Sequence, residues 1–406
     1  MIKAYRNFSQ IVTLAKAFKK DGRNLLPEDL SIIENGSVVF NGKEILWVGK
    51  DSDFPAEYQN ILPSEFDNKI LVPELVDSHT HLVFGGDRSS EYSMRLNGAS
   101  YEEIRKSGGG IVSTMKSTHS FTHEELFEIS SERIEQIYSY GVGTVEIKSG
   151  YGLSFEKEKE ISLLINDLKK KFEGKVQIFN TYMAAHAVPA EFSSSHEYME
   201  KVVIPLLKDL APLKIIDAVD IFHEKHYFDT FDCQNLFKEA KNLGIKIKIH
   251  ADEFLDNKGT ILATKFGALS CDHLLNTGKD GINALANSQT VATLLPGTGF
   301  FLGLPQANAR AFLDAGVKVA IGSDYNPGSC HCDNLLLVAS LAAPHYKMNL
   351  CELWAAITLN ASHSLGLKDQ GAIIKGLKPR FSIFEADSID KITYHWGKNL
   401  YLAGEH

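Results

Sequence analysis

Eight short apolar segments, most of them separated by segments of helical pattern, constrain the fold of this chain most strongly. They lie within residues 70–84 and at residues 143–147, 176–184, 218–222, 245–249, 268–271, 291–295 and 317–321. Near-continuous apolar strands that alternate with helices are typical of a parallel sheet covered by helices on both faces. Eight such units in about 290 residues match the size of a (β/α)8 barrel. We therefore expect an α/β protein built on a (β/α)8 TIM barrel.

A doubly wound open sheet is the alternative architecture. It would be favoured by a glycine-rich fingerprint directly after the first strand, where a dinucleotide phosphate would bind. The glycine run at residues 107–110 comes too late and lacks that spacing. We interpret the run as a loop near the site, with Gly108–Gly110 as a candidate lid.

Capping residues mark several of the predicted helices between the strands. Thr122 is followed three residues later by Glu125, and Asn349 by Glu352, which is the spacing of a capping box. Ser154 can cap a further helix. These signals support the alternation of helices and strands.

The amino-terminal part of the chain has a β-like pattern instead. Residues 37–40 and 45–48 flank Asn41-Gly42, a dipeptide that favours a tight hairpin turn. Short apolar runs also occur at residues 371–374 and 381–384.

These patterns predict how the chain divides into domains. We expect residues 1–69 and 366–406 to build one small composite β-sandwich domain, and residues 70–365 to build the barrel. Two unrelated terminal tails are the alternative.

Composition and charge narrow the class of partner. The net charge is -9 and the pI is near 5.9, which argues against the basic face that nucleic-acid binding requires. Five scattered cysteines argue against a disulfide framework and favour a reducing compartment. No apolar run approaches the ~18–20 residues of a membrane span, and the amino terminus lacks a secretory signal. We expect a cytoplasmic protein that acts on a small molecule.

Polar residues at the ends of the predicted strands form a candidate metal site. His79 and His81 end the first strand, and alternation places both side chains on one face. His250 ends the fifth strand and Asp324 ends the eighth. Because barrel chemistry gathers at the carboxyl ends of strands, these four residues predict one divalent metal per subunit, with room left for water. Zinc fits this ligand set, and iron fits it as well.

Three side chains near these ligands are candidate catalytic groups. His273, at the end of the sixth strand, can orient a metal-bound water or accept its proton. Asp324 can serve both as ligand and as proton acceptor, and Glu253 can pass a proton to a ring nitrogen. Each residue alone has an ordinary structural interpretation, such as a core histidine, a helix cap or a solvated carboxylate.

The motifs as a set resemble the imidazolonepropionase family of the amidohydrolase superfamily. The order His-x-His, His, His, Asp on strands 1, 5, 6 and 8 is that of the superfamily. The stretches that carry the resemblance are residues 79–98, 107–114, 145–152, 184–189, 248–254, 272–275, 294–302 and 323–329. The resemblance implies metal-dependent hydrolysis of the C–N bond of 4-imidazolone-5-propanoate to N-formimidoyl-L-glutamate, with hydroxide attacking the ring carbonyl, as the third step of histidine degradation.

The substrate implied by this resemblance has a carboxylate, which favours recognition by a guanidinium. Arg88 is the best candidate, and an ion pair of Arg88 with Asp87 or Glu91 is its alternative interpretation. The other residues that match substrate positions of the family are Tyr101, Tyr151, His186, Glu253, Asn326, Gly328 and Ser329. The resemblance also implies a homodimer.

Some features depart from the superfamily or leave alternatives open. Binuclear members carry a carboxylated lysine after strand 4, whereas Lys148 here follows strand 2. Cys330 and Cys332 are separated by one residue and have no second cysteine pair to complete a ligand set, so they do not predict a second metal site. A purine or pyrimidine deaminase with the same metal core and a non-catalytic relative are the competing functions.

Overall fold

The computed structural model describes residues 1–99, 103–104 and 108–406. Strands in this part of the chain fall into two sheets. In chain order they are β1 (Lys3–Val12), β2 (Ile32–Phe40), β3 (Ile45–Lys50), β4 (Ser64–Glu65), β5 (Ile70–Pro73), β6 (Leu75–Asp77), β7 (Val142–Lys148), β8 (Gln177–Ala185), β9 (Ala218–His223), β10 (Lys246–Ala251), β11 (Ser270–His273), β12 (Val291–Leu294), β13 (Val319–Ile321), β14 (Phe381–Phe384) and β15 (Tyr401–Glu405).

Strands β6 to β13 form a parallel sheet in which each strand pairs with its neighbour in the chain. Its two edges meet beyond the strand ends, where Thr80 and Tyr325 form a parallel bridge. The backbone N–H of His81 donates to the carbonyl of Tyr325 at 2.9 Å, and that of Asp324 donates to the carbonyl of His79 at 3.0 Å. These bonds close the sheet into a barrel, which confirms the predicted (β/α)8 architecture.

Helices surround the barrel and connect its strands. The α-helices of the described residues are Ala15–Lys19, Ser89–Leu96, Ile111–His119, His123–Ser139, Phe155–Lys171, Ser195–Tyr198, Ile204–Leu210, Thr230–Asn242, Gly259–Phe266, Lys279–Ala286, Pro296–Leu302, Ala309–Asp314, Leu335–Tyr346, Leu350–Ala356, Leu359–Ser364 and Ile389–Tyr394. A π-helical turn at Met199–Val203 joins two of them. None of the helices in these ranges is long and apolar enough to cross a membrane.

The predicted caps are confirmed. Thr122 and Glu125 exchange side-chain hydrogen bonds with each other's backbone N–H groups, and so do Asn349 and Glu352. The hydroxyl of Ser154 accepts from the backbone N–H of Lys157. Each bond satisfies a donor that the first turn of a helix leaves without an intrahelical partner.

Both ends of the chain contribute to the second sheet, whose strand order is β15-β14-β5-β1-β2-β3, with β4 beside β1. The rings of Phe40 on β2 and Phe381 on β14 lie 5.1 Å apart between centroids, although two strands separate β2 from β14. A flat sheet would place those strands ~14 Å apart, so the sheet curls around its own apolar core. Where a sandwich was expected, the described strands are hydrogen-bonded into this one curled sheet. The predicted hairpin is confirmed, with Phe40 opposite Ile45.

The apolar run that begins at Ile70 is divided between the two sheets. β5 pairs with β1 and β14, whereas β6 pairs with β7 of the barrel. Glu74 lies at the division, buried, and its carboxylate pairs with Arg380 at 2.8 Å. Residues 371–374, expected to extend the β-structure, do not form a strand.

Candidate active site

Three histidines meet at the carboxyl end of the barrel. His79 and His81 follow β6, and His250 lies near the end of β10. One ring nitrogen of each lies within 4.8 Å of the others. The Nε2 atoms of His81 and His250 are 3.4 Å apart. All three side chains are buried, and burial lowers the pKa of His79 and His81 well below its usual range, so these rings are neutral and able to act as ligands.

Asp324 completes this group from the other edge of the barrel. Its Oδ1 lies 3.6 Å from Nε2 of His79 and 3.9 Å from Nε2 of His81. The hydroxyl of Thr298 donates to its other carboxylate oxygen. The four predicted metal ligands are therefore adjacent, although they come from three separate parts of the chain.

The donor atoms fit a divalent metal. Nε2 of His79 is buried and has no hydrogen-bond partner among the described residues. Its Nδ1 lies 2.7 Å from Asp272, and Nδ1 of His250 lies 3.1 Å from Asp220. Carboxylates that hold Nδ1 in this way are the usual outer partners of metal-bound histidine. Three imidazoles and one carboxylate form a donor set suited to a divalent ion.

Glu253 and His273 face each other beside this group. Oε1 of Glu253 lies 3.7 Å from Nδ1 of His273, and the His273 ring centroid lies 5.0 Å from that of His250. Burial, with the charge of Asp324 nearby, raises the pKa of Glu253 to about 8. Burial also lowers the pKa of His273 well below its usual range. The pair thus combines a protonated carboxyl with a neutral imidazole.

The backbone is strained at two of these residues. His273 has a φ of 77° and Asp324 a φ of 54°, values that residues other than glycine rarely adopt. Such strain persists where the surrounding structure holds it, and it concentrates at functional sites.

Arg88 lies in the loop after the first barrel strand, and its side chain is only 8% exposed. Its guanidinium donates to Glu91 from Nε at 2.9 Å and from Nη2 at 2.7 Å, so the ion pair weighed as an alternative is present. Nη1 packs against Gly328, where an added Cβ would lie 1.7 Å away. The ion pair therefore fixes the guanidinium beside the loop that follows the eighth strand.

Tyr151 and His186 line the same end of the barrel. The ring of His186 stacks on that of His81 with centroids 4.9 Å apart, and the ring of Tyr151 lies 5.4 Å from that of His186. The carbonyl of Gly150 lies 3.1 Å from Nδ1 of His186. Burial lowers the pKa of His186 to about 3 and raises that of Tyr151. Both residues are therefore neutral, and both contact the histidine cluster. Tyr101 lies outside the described residues.

The loop after the eighth strand is organised by Asn326. Its Oδ1 accepts from the backbone N–H groups of Gly328 and Ser329, both at 2.8 Å. Its Nδ2 donates to the carbonyl of Asp324 at 2.6 Å and to the hydroxyl of Ser329 at 2.9 Å. The predicted residues of this loop thus form one unit attached to the candidate ligand Asp324.

Sequence reasoning gave no role to the charged side chains beneath the histidines. Asp220 and Asp272 hold His250 and His79, as described above. Five buried charged groups form this layer of the barrel interior: Glu146, Lys148, Asp220, Lys248 and Asp272. Their signal in the sequence is a charge placed two residues from another polar residue within an apolar strand, as in Glu146/Lys148 and Lys248/His250.

The cysteine pair near this loop shows no sign of a second metal site. Cys330 is buried, Cys332 is partly buried, and neither forms a disulfide. Within residues 1–99, 103–104 and 108–406, clustered candidate ligand atoms occur only in groups that include His79.

Comparisons with known proteins agree with this arrangement. The amidohydrolase family model matches residues 70–400. The chain is 37% identical over 399 residues to an imidazolonepropionase of Clostridium tetani, covering 97% of this chain and 94% of the relative. It is 39% identical over 398 residues to an imidazolonepropionase of Shouchella clausii, covering 96% and 88%.

Solved structures with much lower sequence identity share the fold. A triazine hydrolase variant has a TM-score of 0.74 at 15% identity, covering 98% of this chain and 92% of that chain. A guanine deaminase from C. acetobutylicum has a TM-score of 0.69 at 17% identity, covering 95% and 91%. These likenesses concern the fold alone. The family model and the relatives together show that this chain belongs to the imidazolonepropionase family of amidohydrolases.

Proposed function

We propose that this chain hydrolyses 4-imidazolone-5-propanoate to N-formimidoyl-L-glutamate, the third step in the degradation of histidine to glutamate. The observation that carries the proposal is the meeting of His79, His81, His250 and Asp324 at one point inside the barrel, in a chain 37–39% identical to imidazolonepropionases over nearly its full length. A ring-opening hydrolase needs such a centre to activate water.

In this proposal, these four residues hold one divalent metal. Zinc is the metal we favour because it commonly takes histidine and carboxylate ligands with one position left open; iron suits the same donors. When bound, the metal would activate water for attack on the ring carbonyl.

Protons are then moved by this chain's own residues. In this proposal, Oδ1 of Asp324 or the imidazole of His273 would accept the proton of the attacking water. The carboxyl of Glu253, whose raised pKa keeps it protonated at neutral pH, would give a proton to the ring nitrogen that leaves when the C–N bond breaks. A group that donates a proton works best when its pKa is close to the working pH.

Arg88 would recognise the propionate of the substrate. The guanidinium is permanently charged and is held at the loop of Asn326, Gly328 and Ser329. Tyr151 and His186 would contact the ring, and Tyr101 is assigned to the substrate by resemblance to the family. A charge-assisted hydrogen bond to a carboxylate is stronger than one between neutral groups, so this contact would govern the choice of substrate.

A deaminase acting on a neutral purine or pyrimidine is the second candidate, because it would use the same centre. The buried guanidinium of Arg88 favours a substrate with a carboxylate. A non-catalytic relative has no need of four converging ligands. One experiment separates the enzymes from the scaffold: metal is removed from purified protein with a chelator and restored, and hydrolysis is followed. Loss and recovery of activity are expected, and activity that persists without metal would refute the proposal.

Three further assignments belong to the same proposal. The composite domain of residues 1–69 and 366–406 beside a barrel of residues 70–365 is supported by the two sheets. A cytoplasmic location is supported by five cysteines without a disulfide. The homodimer rests on resemblance to the family, and sedimentation of the purified protein tests it.

A further inference from the structure

Five charged side chains form a layer inside the barrel next to the histidines. They are Glu146, Lys148, Asp220, Lys248 and Asp272, and each is fully buried. Burial of a charge is costly unless an opposite charge lies close by. Every member of the layer has an oppositely charged partner within 3.5 Å, so the layer is a connected network.

Lys148 is the centre of this network. Its Nζ lies 2.7 Å from Oδ2 of Asp220, 3.0 Å from Oε2 of Glu146 and 3.5 Å from Oδ2 of Asp272. These three carboxylates stand on β9, β7 and β11. One ammonium therefore ties together three of the eight barrel strands at the level just inside the candidate metal ligands.

Two of those carboxylates also hold ligand histidines. Oδ1 of Asp220 lies 3.1 Å from Nδ1 of His250, and Oδ2 of Asp272 lies 2.7 Å from Nδ1 of His79. An ionised carboxylate can only accept a hydrogen bond, so the proton of each imidazole is on Nδ1. The lone pair of each Nε2 is then directed into the site.

We propose that Lys148 is a positioning residue for the metal centre. By fixing Asp220 and Asp272, it holds His250 and His79 in the orientation and tautomer in which both Nε2 atoms can bind one cation. This inference rests on the proposed function, since it assumes that a divalent metal binds those atoms.

If Lys148 acted on the metal only through its charge, its removal would change the metal affinity in the opposite direction, which makes the inference testable. The layer contains three carboxylates and two ammonium groups, a net charge of one negative. Removing the ammonium of Lys148 makes the layer more negative and should strengthen cation binding if only the field matters. If Lys148 acts by positioning, its removal frees Asp220 and Asp272 and weakens binding.

The test measures Co²⁺ binding to the metal-free protein, by competition with a chelator and by the visible spectrum of the bound ion. The variant is Lys148→Met, and the matched control is Lys318→Met. Lys318 is also buried in the barrel wall and is also paired, with Asp21 at 2.8 Å, but it lies just before β13, at the opposite end of the barrel. Thermal unfolding of each metal-free variant reports its fold.

We expect Lys148→Met to bind Co²⁺ about 10- to 100-fold more weakly than wild type, with an altered spectrum, because disturbing the outer partners of ligand histidines has effects of this size and Lys148 fixes two of them. Lys318→Met should keep the wild-type affinity and spectrum. Wild-type or tighter binding by a folded Lys148→Met variant would overturn the inference.

Two further measurements keep the test decisive. If Lys148→Met does not fold, Lys148→Gln replaces it: the neutral amide keeps a hydrogen-bond donor in the layer but removes the ammonium that fixes Asp220 and Asp272. Weaker Co²⁺ binding is again expected, and unchanged affinity would overturn the inference. Failure of the wild-type protein itself to bind Co²⁺ would instead refute the metal centre of the proposed function.

Discussion

The guanidinium of Arg88 donates two hydrogen bonds to a single carboxylate oxygen of Glu91, from Nε at 2.9 Å and from Nη2 at 2.7 Å. The other oxygen of Glu91 accepts from the backbone N–H of Gly110 at 3.2 Å. Glu91 thereby connects the arginine to the glycine run at residues 108–110. The guanidinium is held with its Nη1 against Gly328, and in the proposed function it would meet the substrate carboxylate from there.

Replacing Arg88 by Met should weaken substrate binding without removing the metal. The loss of a charge-assisted hydrogen bond costs about 1.5–3 kcal/mol, so we expect KM to rise about 10- to 100-fold. Steady-state kinetics and metal content measure the two effects. Arg310→Met is the control, because Arg310 also pairs with a glutamate, Glu352, at 2.9 Å, and lies outside the site. Unchanged kinetics in Arg88→Met would remove its assigned role.

Replacing Gly328 by Ala should reproduce part of this defect. The added Cβ would lie 1.7 Å from Nη1 of Arg88, so the guanidinium must move away from the loop. We expect KM to rise several-fold while metal content stays the same. Gly42→Ala is the matched control, since an added Cβ there meets no atom within 4 Å. Equal KM values for the two variants would show that the packing of Arg88 on Gly328 is unimportant.

Replacing His79 by Ala should abolish bound metal and activity together. His79 supplies a buried Nε2 3.6 Å from Asp324, and a centre of four ligands loses most of its affinity when one is removed. Metal analysis and kinetics on the same sample measure this. The exposed His196 provides the control variant His196→Ala, which should retain both. A metal-free His79→Ala variant with full activity would contradict the assignment.

Glu253→Gln should slow the chemical step while the metal is retained. Because burial raises the pKa of Glu253 to about 8, its carboxyl holds a proton at neutral pH and loses it as the pH rises through that value. The kcat of the wild type should therefore fall on the alkaline side. The amide cannot donate as an acid, so we expect kcat to fall about 100-fold or more and the alkaline decline to disappear. A variant with wild-type kcat and the same pH profile would exclude Glu253 as the acid.

Sequence alone predicted the barrel and the meeting of its candidate metal ligands for one physical reason. In a (β/α)8 barrel the carboxyl ends of all strands face the same side, so a residue's position at a strand end gives its place in space. His79, His250 and Asp324 could be grouped in this way without knowing any distance. The terminal hairpin was equally accessible, because its turn is local: Oδ1 of Asn41 accepts from the backbone N–H groups of Lys43 and Glu44.

Other features depend on packing between distant residues, which the pattern does not contain. Lys148 was noted in the sequence only as a residue after the second strand, and its partner Asp220 is 72 residues away. The pairing follows from barrel register, which a one-residue shift would reverse. The division of the run at Glu74 between two sheets could not be predicted for the same reason, because β5 and β6 pair with strands that are far away in the sequence.

The most direct test of the central claim follows one reaction in one tube. Metal-loaded wild-type protein is mixed with freshly prepared 4-imidazolone-5-propanoate, and the ultraviolet absorbance of the ring and the release of ammonia are recorded together. We predict loss of absorbance without ammonia, and no loss after the metal is removed. Release of ammonia in step with the absorbance change, or no change with the metal bound, would contradict ring opening of this substrate.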